Sequence, residues 1–432
     1  MKRNFLKQFL LIAILSFLTI ASQAQYLLNS DSAFKAGAPN SGRIWGYVFA
    51  DWYYKGHSDS LNRGGANQYT GLPKGRNAFQ FRRIYLGYDY NISKKFSAEL
   101  LLAAEDNFTA YNPPNQAAVN GDELSNQKET FFIKLANIRW KNVWNGTDFI
   151  FGEQATPSFP LLSEKIWGYR SIERTISDIR RTPSYDMGAG LQGKFDPKTG
   201  NYGYNVLVAN GNGDKPAPNS FKWFYGDVYA YFFDKKFVVD LYTDYLRLNW
   251  QPGWHHDRQM VKAYVAYTTP ALTIGAEGFI NTIAKDTKVG LASGASDTIN
   301  TVAQGLSLYV TGDIVKNYLR FFARWDGYNP NSKIDNAKYT SYAGLSSPTG
   351  YNTPGYKMTY NPSTGAPTSA TANTDITAKE MFITAGLDFT PAKNVHLMPN
   401  IWYNHYASQL TTGKAADYDL VYRMTFYYIF GK

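Results

Sequence analysis

The chain contains no cysteine. That excludes disulfides, thiolate metal ligands and the lipid-attachment thiol of a lipoprotein, so an exported chain of this size must take its stability from its fold. After residue 24 no window approaches the roughly eighteen consecutive apolar residues of a membrane-crossing helix. Histidine is scarce: His57, His255, His256, His396 and His405. The His255-His256 pair has only Asp257 as an evident further ligand, too few for a metal site, and no metal or cofactor is predicted. No G-x-S-x-G elbow occurs, and His405 with Ser408 is too thin a pair for a triad, so no enzyme is predicted. The chain carries a basic surplus, +10 over its full length, but no clustered basic arm of the kind that binds nucleic acid.

Residues 1–24 read as a secretory signal. Lys2, Arg3 and Lys7 supply the positive start, an apolar run extends from Phe9 to Ile20, and Ser22-Gln23-Ala24 is a small-x-small cleavage site. The apolar run falls short of the roughly twenty residues that span a bilayer. Its removal leaves 41 basic residues against 34 acidic ones, a surplus suited to anionic lipid or anionic solutes. Residues 25–42 read as a periplasmic leader, and 43–432 as the folded unit.

What the chain has in abundance is aromatic side chains: 34 Tyr, 27 Phe and 10 Trp, together 16% of its residues. Membrane β-barrels use such residues as girdles at both interfaces, and alternate an apolar lipid face with a polar lumen face. That alternation averages out over a window, which accounts for a negative mean hydropathy in a membrane chain. No blade-length repeat supports a propeller.

The alternation is explicit. Tyr418, Leu420, Tyr422, Met424, Phe426, Tyr428 and Phe430 share one face, with Asp419, Arg423 and Thr425 on the other. Leu319, Phe321, Ala323 and Trp325 oppose Arg320, Arg324 and Asp326; Val395, Leu397, Ile401 and Tyr403 oppose His396, Asn400 and Asn404; Met381, Ile383, Ala385, Leu387 and Phe389 oppose Thr384 and Asp388. Period two with one apolar face is the strand signal. A charge facing lipid at mid-depth costs about 2–4 kcal/mol, so the charged faces must point inward to water.

The spacing predicts strands over 43–53, 78–91, 95–105, 129–141, 147–153, 184–196, 201–211, 221–233, 235–249, 259–270, 271–281, 302–313, 316–327, 378–391, 393–406 and 417–430. Tight turns alternate with long polar stretches, including 54–77, 106–128 and 328–377. The prediction is an all-β fold: a transmembrane antiparallel barrel of about sixteen strands, with short periplasmic turns and long external loops. At about 16–18 strands a barrel encloses an aqueous channel, whereas about eight strands pack solid.

Gln154 to Asp186, QATPSFPLLSEKIWGYRSIERTISDIRRTPSYD, is too long for a turn and too irregular for a strand. Phe159, Leu161, Leu162, Ile166, Trp167, Tyr169, Ile172, Ile176 and Ile179 argue that it is anchored. Long ordered loops of this kind are usually functional, and this one is predicted to fold into the barrel mouth and narrow the pore. Its cations Lys165, Arg170, Arg174, Arg180 and Arg181 are the predicted constriction and anion site, facing Glu164, Glu173, Asp178 and Asp186. Lys262, Arg320, Arg324 and Arg423 are predicted to line the lumen, with Asp240, Asp244, Glu277, Asp326 and Asp388 as acidic partners. Arg82 and Arg83 are adjacent, so strict alternation sends only one inward, and the pattern does not choose: Phe79, Phe81 and Tyr85 accompany Arg83, while Ile84 and Leu86 accompany Arg82. Rings of Arg and Lys favour anions.

The segment from about Ala78 to Phe195 resembles the phosphate-selective porin O and P family. The matching residues are Phe81-Arg82-Arg83 with Leu86-Gly87, Phe151-Gly152 leading to Pro157-Ser158-Phe159 and Glu164, Glu173-Arg174-Thr175, and Arg180 with Met187-Gly188-Ala189-Gly190 and Leu191-Gln192-Gly193. The resemblance implies a sixteen-stranded pore in the outer membrane of a Gram-negative bacterium, trimeric, with its third external loop folded inward. Gln154 to Tyr185 occupies that third-loop position. The reading is a porin for passive diffusion of small hydrophilic solutes, mildly favouring phosphate-like anions, with outer-membrane lipid and copies of itself as partners. The alternative is a non-conducting barrel that serves as a scaffold, with loops 54–77 and 328–377 as its binding face.

Overall fold

The computed structural model describes residues 34, 35, 37–61, 63, 69, 70, 72–105, 131–180, 182–217, 219–251, 254–344, 356–360, 367–372, 375, 377–410 and 415–431. The predicted signal and most of the predicted leader lie outside them. The strands are β1 (Ser41–His57), β2 (Asn77–Asn91), β3 (Phe96–Glu105), β4 (Phe132–Trp144), β5 (Thr147–Ala155), β6 (Tyr185–Lys194), β7 (Tyr202–Ala209), β8 (Trp223–Phe232), β9 (Phe237–Gln251) and β10 (Trp254–Thr268). They continue as β11 (Leu272–Leu291), β12 (Ser296–Val315), β13 (Leu319–Asn329), β14 (Tyr339–Gly344), β15 (Tyr356–Tyr360), β16 (Pro367–Ala372), β17 (Lys379–Ala392), β18 (Val395–Ala407) and β19 (Asp417–Phe430). Two short helices, α1 (Ser163–Trp167) and α2 (Ile176–Ile179), lie between β5 and β6.

Each strand from β1 to β13 pairs antiparallel with the next. β13 then pairs with β17, β18 and β19 follow, and β19 returns to β1, with Gly46 opposite Phe430. The sheet has 17 strands, of which β14 pairs only with the far end of β11, leaving a closed barrel of sixteen. Closure leaves no unpaired edge, a condition for backbone inside hydrocarbon. All sixteen expected strands are present, most with ends shifted by a few residues. β1 begins at Ser41, within the stretch expected as leader.

The outer wall is apolar and the inner wall is not. Ile44, Phe151, Leu241, Ile280 and Tyr422 face outward and stay exposed, whereas Asp51, Asp240, Glu277, Asp388 and Asp419 on the other parity are buried inside. Phe195, Phe233 and Tyr318 stand exposed around the short-turn end, as an interfacial girdle requires. The tight turns there use residues that tolerate left-handed backbone: Gly146 (φ 80°), Asn317 (φ 60°) and Asn394 (φ 66°).

Two departures from the expected elements have physical causes. β11 and β12 run for 20 residues each, past the expected ends at 281 and 302, and the extension pairs with β14 from the long polar stretch. This arm lies beyond the wall, where no lipid demands an apolar face, so the alternation that marks a spanning strand is absent. The second departure is in β2. Both Arg82 and Arg83 point inward, at 2% and 9% exposure, against the expectation that only one can. The register against β1 jumps from Phe49↔Arg83 to Ala50↔Phe81, so Arg82 is the extra residue of a β-bulge. The bulge reverses the phase of the strand: Phe79 and Phe81 face out before it, and Leu86 and Tyr88 after it. β4 repeats the device. Its register against β3 skips Lys134, which is buried while Ile133 and Ile138, five residues apart, both face out.

The constricted lumen

Residues 156–184 leave β5 at the long-loop end and fold into the barrel. Their apolar side chains require it: Phe159, Trp167, Ile172, Ile176 and Ile179 are all at most 4% exposed. Trp167 sits edge-on to Tyr309 of β12 with ring centroids 4.9 Å apart, and Tyr169 lies 4.7 Å from Phe322 of β13. The Tyr169 hydroxyl donates to Asp388 of β17 at 3.1 Å. Gly168 ends α1 with φ 71°, a conformation that favours glycine. The Thr175 hydroxyl caps α2 by accepting from the Asp178 N–H.

The wall grips the loop by its backbone. Arg82 of β2 donates to the Ser171 carbonyl, Arg423 of β19 to Ile172 at 3.0 Å, and Arg324 of β13 to Arg174 at 2.5 Å. Trp402 Nε1 of β18 donates to the Glu173 carboxylate at 2.8 Å, and Trp167 Nε1 to the Glu173 carbonyl at 2.9 Å. Further on, the Ser177 N–H and hydroxyl both donate to Glu277 of β11, at 3.2 and 2.6 Å. Arg180 pairs with both oxygens of Glu380 on β17, at 3.0 and 2.9 Å. These bonds come from β2, β11, β13, β17, β18 and β19. Buried carbonyls need donors, and long wall arginines reach them.

This arrangement sorts the predicted residues. Arg82, Arg324 and Arg423 face inward but lie beneath the loop, each at most 3% exposed. Lys262 is equally covered, between Asp240 at 3.2 Å and Glu277 at 3.9 Å. Arg320 stays partly exposed beside Asp313. Arg180 is buried against Glu380 and stacks on Tyr328, its guanidinium 3.7 Å from the ring centroid. Arg181 lies outside the described residues. Lys165, Arg170 and Arg174 remain partly or fully exposed and face the other way, toward β2–β5.

Water therefore reaches the space between the loop and the β2–β5 wall. Arg170 bridges Glu164 and Asp178, the latter at 2.5 Å. Arg174 lies 3.7 Å from Glu173 and 4.0 Å from Asp178. Opposite, Glu105 binds Arg83 at 2.9 Å and also Lys134, while Arg139 meets Asp148 at 3.1 Å. Lys165 sits in the field of Glu99 and then Arg139. The partly or fully exposed cations are Arg139, Lys165, Arg170 and Arg174, with Arg83 and Lys134 buried behind Glu105; the partly exposed carboxylates are Glu99, Glu105, Asp148, Glu164 and Asp178.

Within the loop the two acids differ. Burial raises the Glu164 carboxyl above its ordinary value, and Arg170 offsets this only in part. Burial acts on Asp178 as well, but Arg170 and then Arg174 outweigh it and hold that carboxyl below its ordinary value.

Lys134, Glu105 and Arg139 were not predicted from the sequence. The signal available was the phase break from Ile133 to Ile138, which marks an extra inward residue. The first connection also departs from its reading as an outer polar loop. Tyr69 is fully buried, packs on Tyr53 and Trp402, and donates to Asp51 at 2.7 Å. Lys55 reaches both the Tyr69 carbonyl at 2.7 Å and Asp419 at 2.5 Å. His256, half of the histidine pair, binds Asp286 at 2.9 Å in the arm, and among the described residues no cluster of three metal-ligating side chains occurs.

No protein-family model matches the chain, and no curated protein matches it in sequence. Solved structures do match. A Salmonella typhi OmpF, in complex with daunomycin, aligns with TM-score 0.53 at 11% identity over 90% of this chain and 98% of its own. The anion-selective porin from Comamonas acidovorans gives 0.52 at 11% identity, over 90% and 100%. The outer membrane channel DcaP of Acinetobacter baumannii gives 0.53 at 10% identity, over 91% and 98%. At such identities the likeness speaks for architecture, and the architecture is that of the outer-membrane porins and channels.

Proposed function

We propose that this chain is a porin: a passive diffusion pore for small hydrophilic solutes, with a mild preference for phosphate-like anions. It resides in the outer membrane of a Gram-negative bacterium, its long loops outward. The observation that carries the reading is the partly exposed strip of charge between the inserted loop and the β2–β5 wall, inside a barrel whose outer face is apolar. A channel needs such a wet, polar constriction, and a scaffold does not. Cations and carboxylates are paired along the strip, which supports a weak ionic preference rather than a strong one.

The resemblance to the phosphate-selective porins supports the same reading through Glu173-Arg174-Thr175, which lies where the wall arginines grip the loop. We extend the proposal to a homotrimer, the form named for a Vibrio cholerae OmpT structure that this chain matches with TM-score 0.50 at 9% identity, over 91% of this chain and 100% of its own; native mass spectrometry of detergent-extracted protein tests it. The pore itself is tested by a planar bilayer under a salt gradient. Stepwise conductance with an anion-signed reversal potential is expected. A cation-signed reversal removes the anion preference and keeps the pore, and folded protein that never conducts replaces the porin with the scaffold.

A further inference from the structure

The outer wall carries a groove across β10–β13. Phe237 of β9 and Tyr267 of β10 pair in register beside the β10–β11 turn, and with Ile274 of β11 they form its short-turn end. From there the groove runs along the wall to Trp325 of β13, which pairs with Ile383 of β17. Ala276 and Ala323 form its floor, two small side chains among large ones. Its volume is about 820 Å³. Tyr267 and Ile274 are exposed on the apolar outer face, so the groove opens to hydrocarbon and not to the lumen.

The turns on either side of the groove are basic. Lys235 and Lys236 lie in the β8–β9 turn, directly before Phe237, and the Thr268 N–H at the end of β10 donates to the Lys236 carbonyl at 2.7 Å. Lys316 lies in the β12–β13 turn, followed by Asn317 at φ 60°. All three lysines are exposed and, among the described residues, none is paired with a carboxylate. The turn between them, Thr269-Pro270-Ala271, carries no charge, and Asp234 is the one acid on the flanking turns. Three cations therefore stand against one carboxylate at the end of an apolar groove. Phe233 and Tyr318, exposed on the same two turns, put this end at the membrane interface, where aromatic rings sit and lysine stems reach toward headgroups.

Any acyl chain fits an apolar groove, so the lysines decide the class of lipid. A headgroup with net negative charge gains from them, and a zwitterionic one gains far less. A second copy of the chain is a poorer match. Its described short turns offer only Asp196 and Asp234 as acids, and Asp196 is engaged in its own turn by the Thr199 hydroxyl at 2.6 Å and the Lys198 N–H at 3.1 Å. We infer that the groove and its flanking turns are a binding site for an anionic phospholipid of the periplasmic leaflet, its acyl chain along Ala276 and Ala323 and its phosphate between the turns of Lys236 and Lys316. The inference goes beyond the porin reading and stands whether or not the chain conducts.

The test is native mass spectrometry of the full chain in detergent, with phosphatidylglycerol or phosphatidylcholine of the same acyl chains added. The wild type is expected to retain phosphatidylglycerol in preference. A lysine beside an anionic headgroup is worth about fivefold in affinity. Changing Lys235→Ser and Lys236→Ser together should therefore weaken phosphatidylglycerol binding about twentyfold and leave phosphatidylcholine unmoved. Ala323→Phe, which fills the floor, should weaken both lipids. Lys94→Ser with Lys95→Ser, in the distant β2–β3 turn, should change neither. A heat-modifiable band on a gel reports that each variant is folded. Equal retention of the two lipids by the wild type overturns the selection of an anionic headgroup. An equal loss in the Lys94 and Lys95 variant overturns the assignment to this groove in favour of a diffuse basic rim. Variants that change the number of chains per particle, with lipid retention unmoved, make the groove a contact between copies and overturn the lipid site.

Discussion

Arg423 on the last strand donates through Nη2 to the carbonyl of Ile172, 251 residues earlier, at 3.0 Å. The same guanidinium reaches Asn400 Oδ1 at 2.7 Å and the Tyr69 hydroxyl at 3.3 Å. One side chain therefore ties two strands and two inserted connections together. It is a cation that faces the lumen, but its protons are committed to the protein.

Arg423→Met keeps much of the volume and removes these donors. Leaving a buried carbonyl unserved costs about 1–3 kcal/mol, spent here on the seating of the loop. We expect the variant to insert and conduct with larger open-state current fluctuations than the wild type. Current noise equal to that of the wild type would remove the clamp role.

Arg170 and Arg180 should behave differently although both are loop arginines. Arg170→Ser releases Glu164 and Asp178 at the water path, so the reversal potential should move toward cations. Arg180→Ser strands Glu380, which is buried, and breaking a buried pair costs about 3–5 kcal/mol. It should lower the temperature at which the folded band is lost on a heat-modifiability gel. A larger selectivity change in Arg180→Ser than in Arg170→Ser would contradict this division.

Acidification should increase the preference for anions. Glu164 holds its proton more tightly than an ordinary glutamate and Asp178 less tightly than an ordinary aspartate. As pH falls, Glu164 is neutralised first, beginning above the usual glutamate range, while Asp178 stays charged. Arg170 then loses one of its two counter-charges. Reversal potentials recorded from neutral to mildly acid pH should drift toward anions, and Glu164→Gln should abolish the first part of that drift.

Deleting Arg82 should leave the barrel intact. Without the bulged residue, Phe79, Phe81, Ile84 and Leu86 fall into one uninterrupted outward series, with Gln80 and Arg83 inward. The deletion also removes the Arg82 bonds to Asp51 and to the Ser171 carbonyl. We expect a folded, heat-modifiable barrel with a less firmly held loop. Failure of the deletion to assemble would mean that the bulge is required for closure.

The barrel was legible in the sequence because lipid imposes a rule on every second residue. Leu319 to Trp325 and Tyr418 to Phe430 show that rule without interruption, and the strands they predict are present. Where lipid is absent the rule lapses, and the arm made by β11, β12 and β14 went unread. The inserted loop was legible from its unplaced apolar residues, Phe159 to Ile179. The bonds that hold it were not. An arginine that serves a carbonyl 89, 150 or 251 residues away leaves no local pattern. Nor does an extra residue in a strand, unless a broken phase such as that around Arg82 is taken as information.

The three arginines that grip residues 171–174 come from β2, β13 and β19, and β13 and β19 follow the loop in the chain. When residues 171–174 have been made, two of their three partners have not. The last donor takes its place only as β19 meets β1 and the cylinder shuts. Sealing the wall and narrowing the passage are therefore one event: an open, half-built sheet has no constriction, and a finished barrel cannot lack one while its grip is intact.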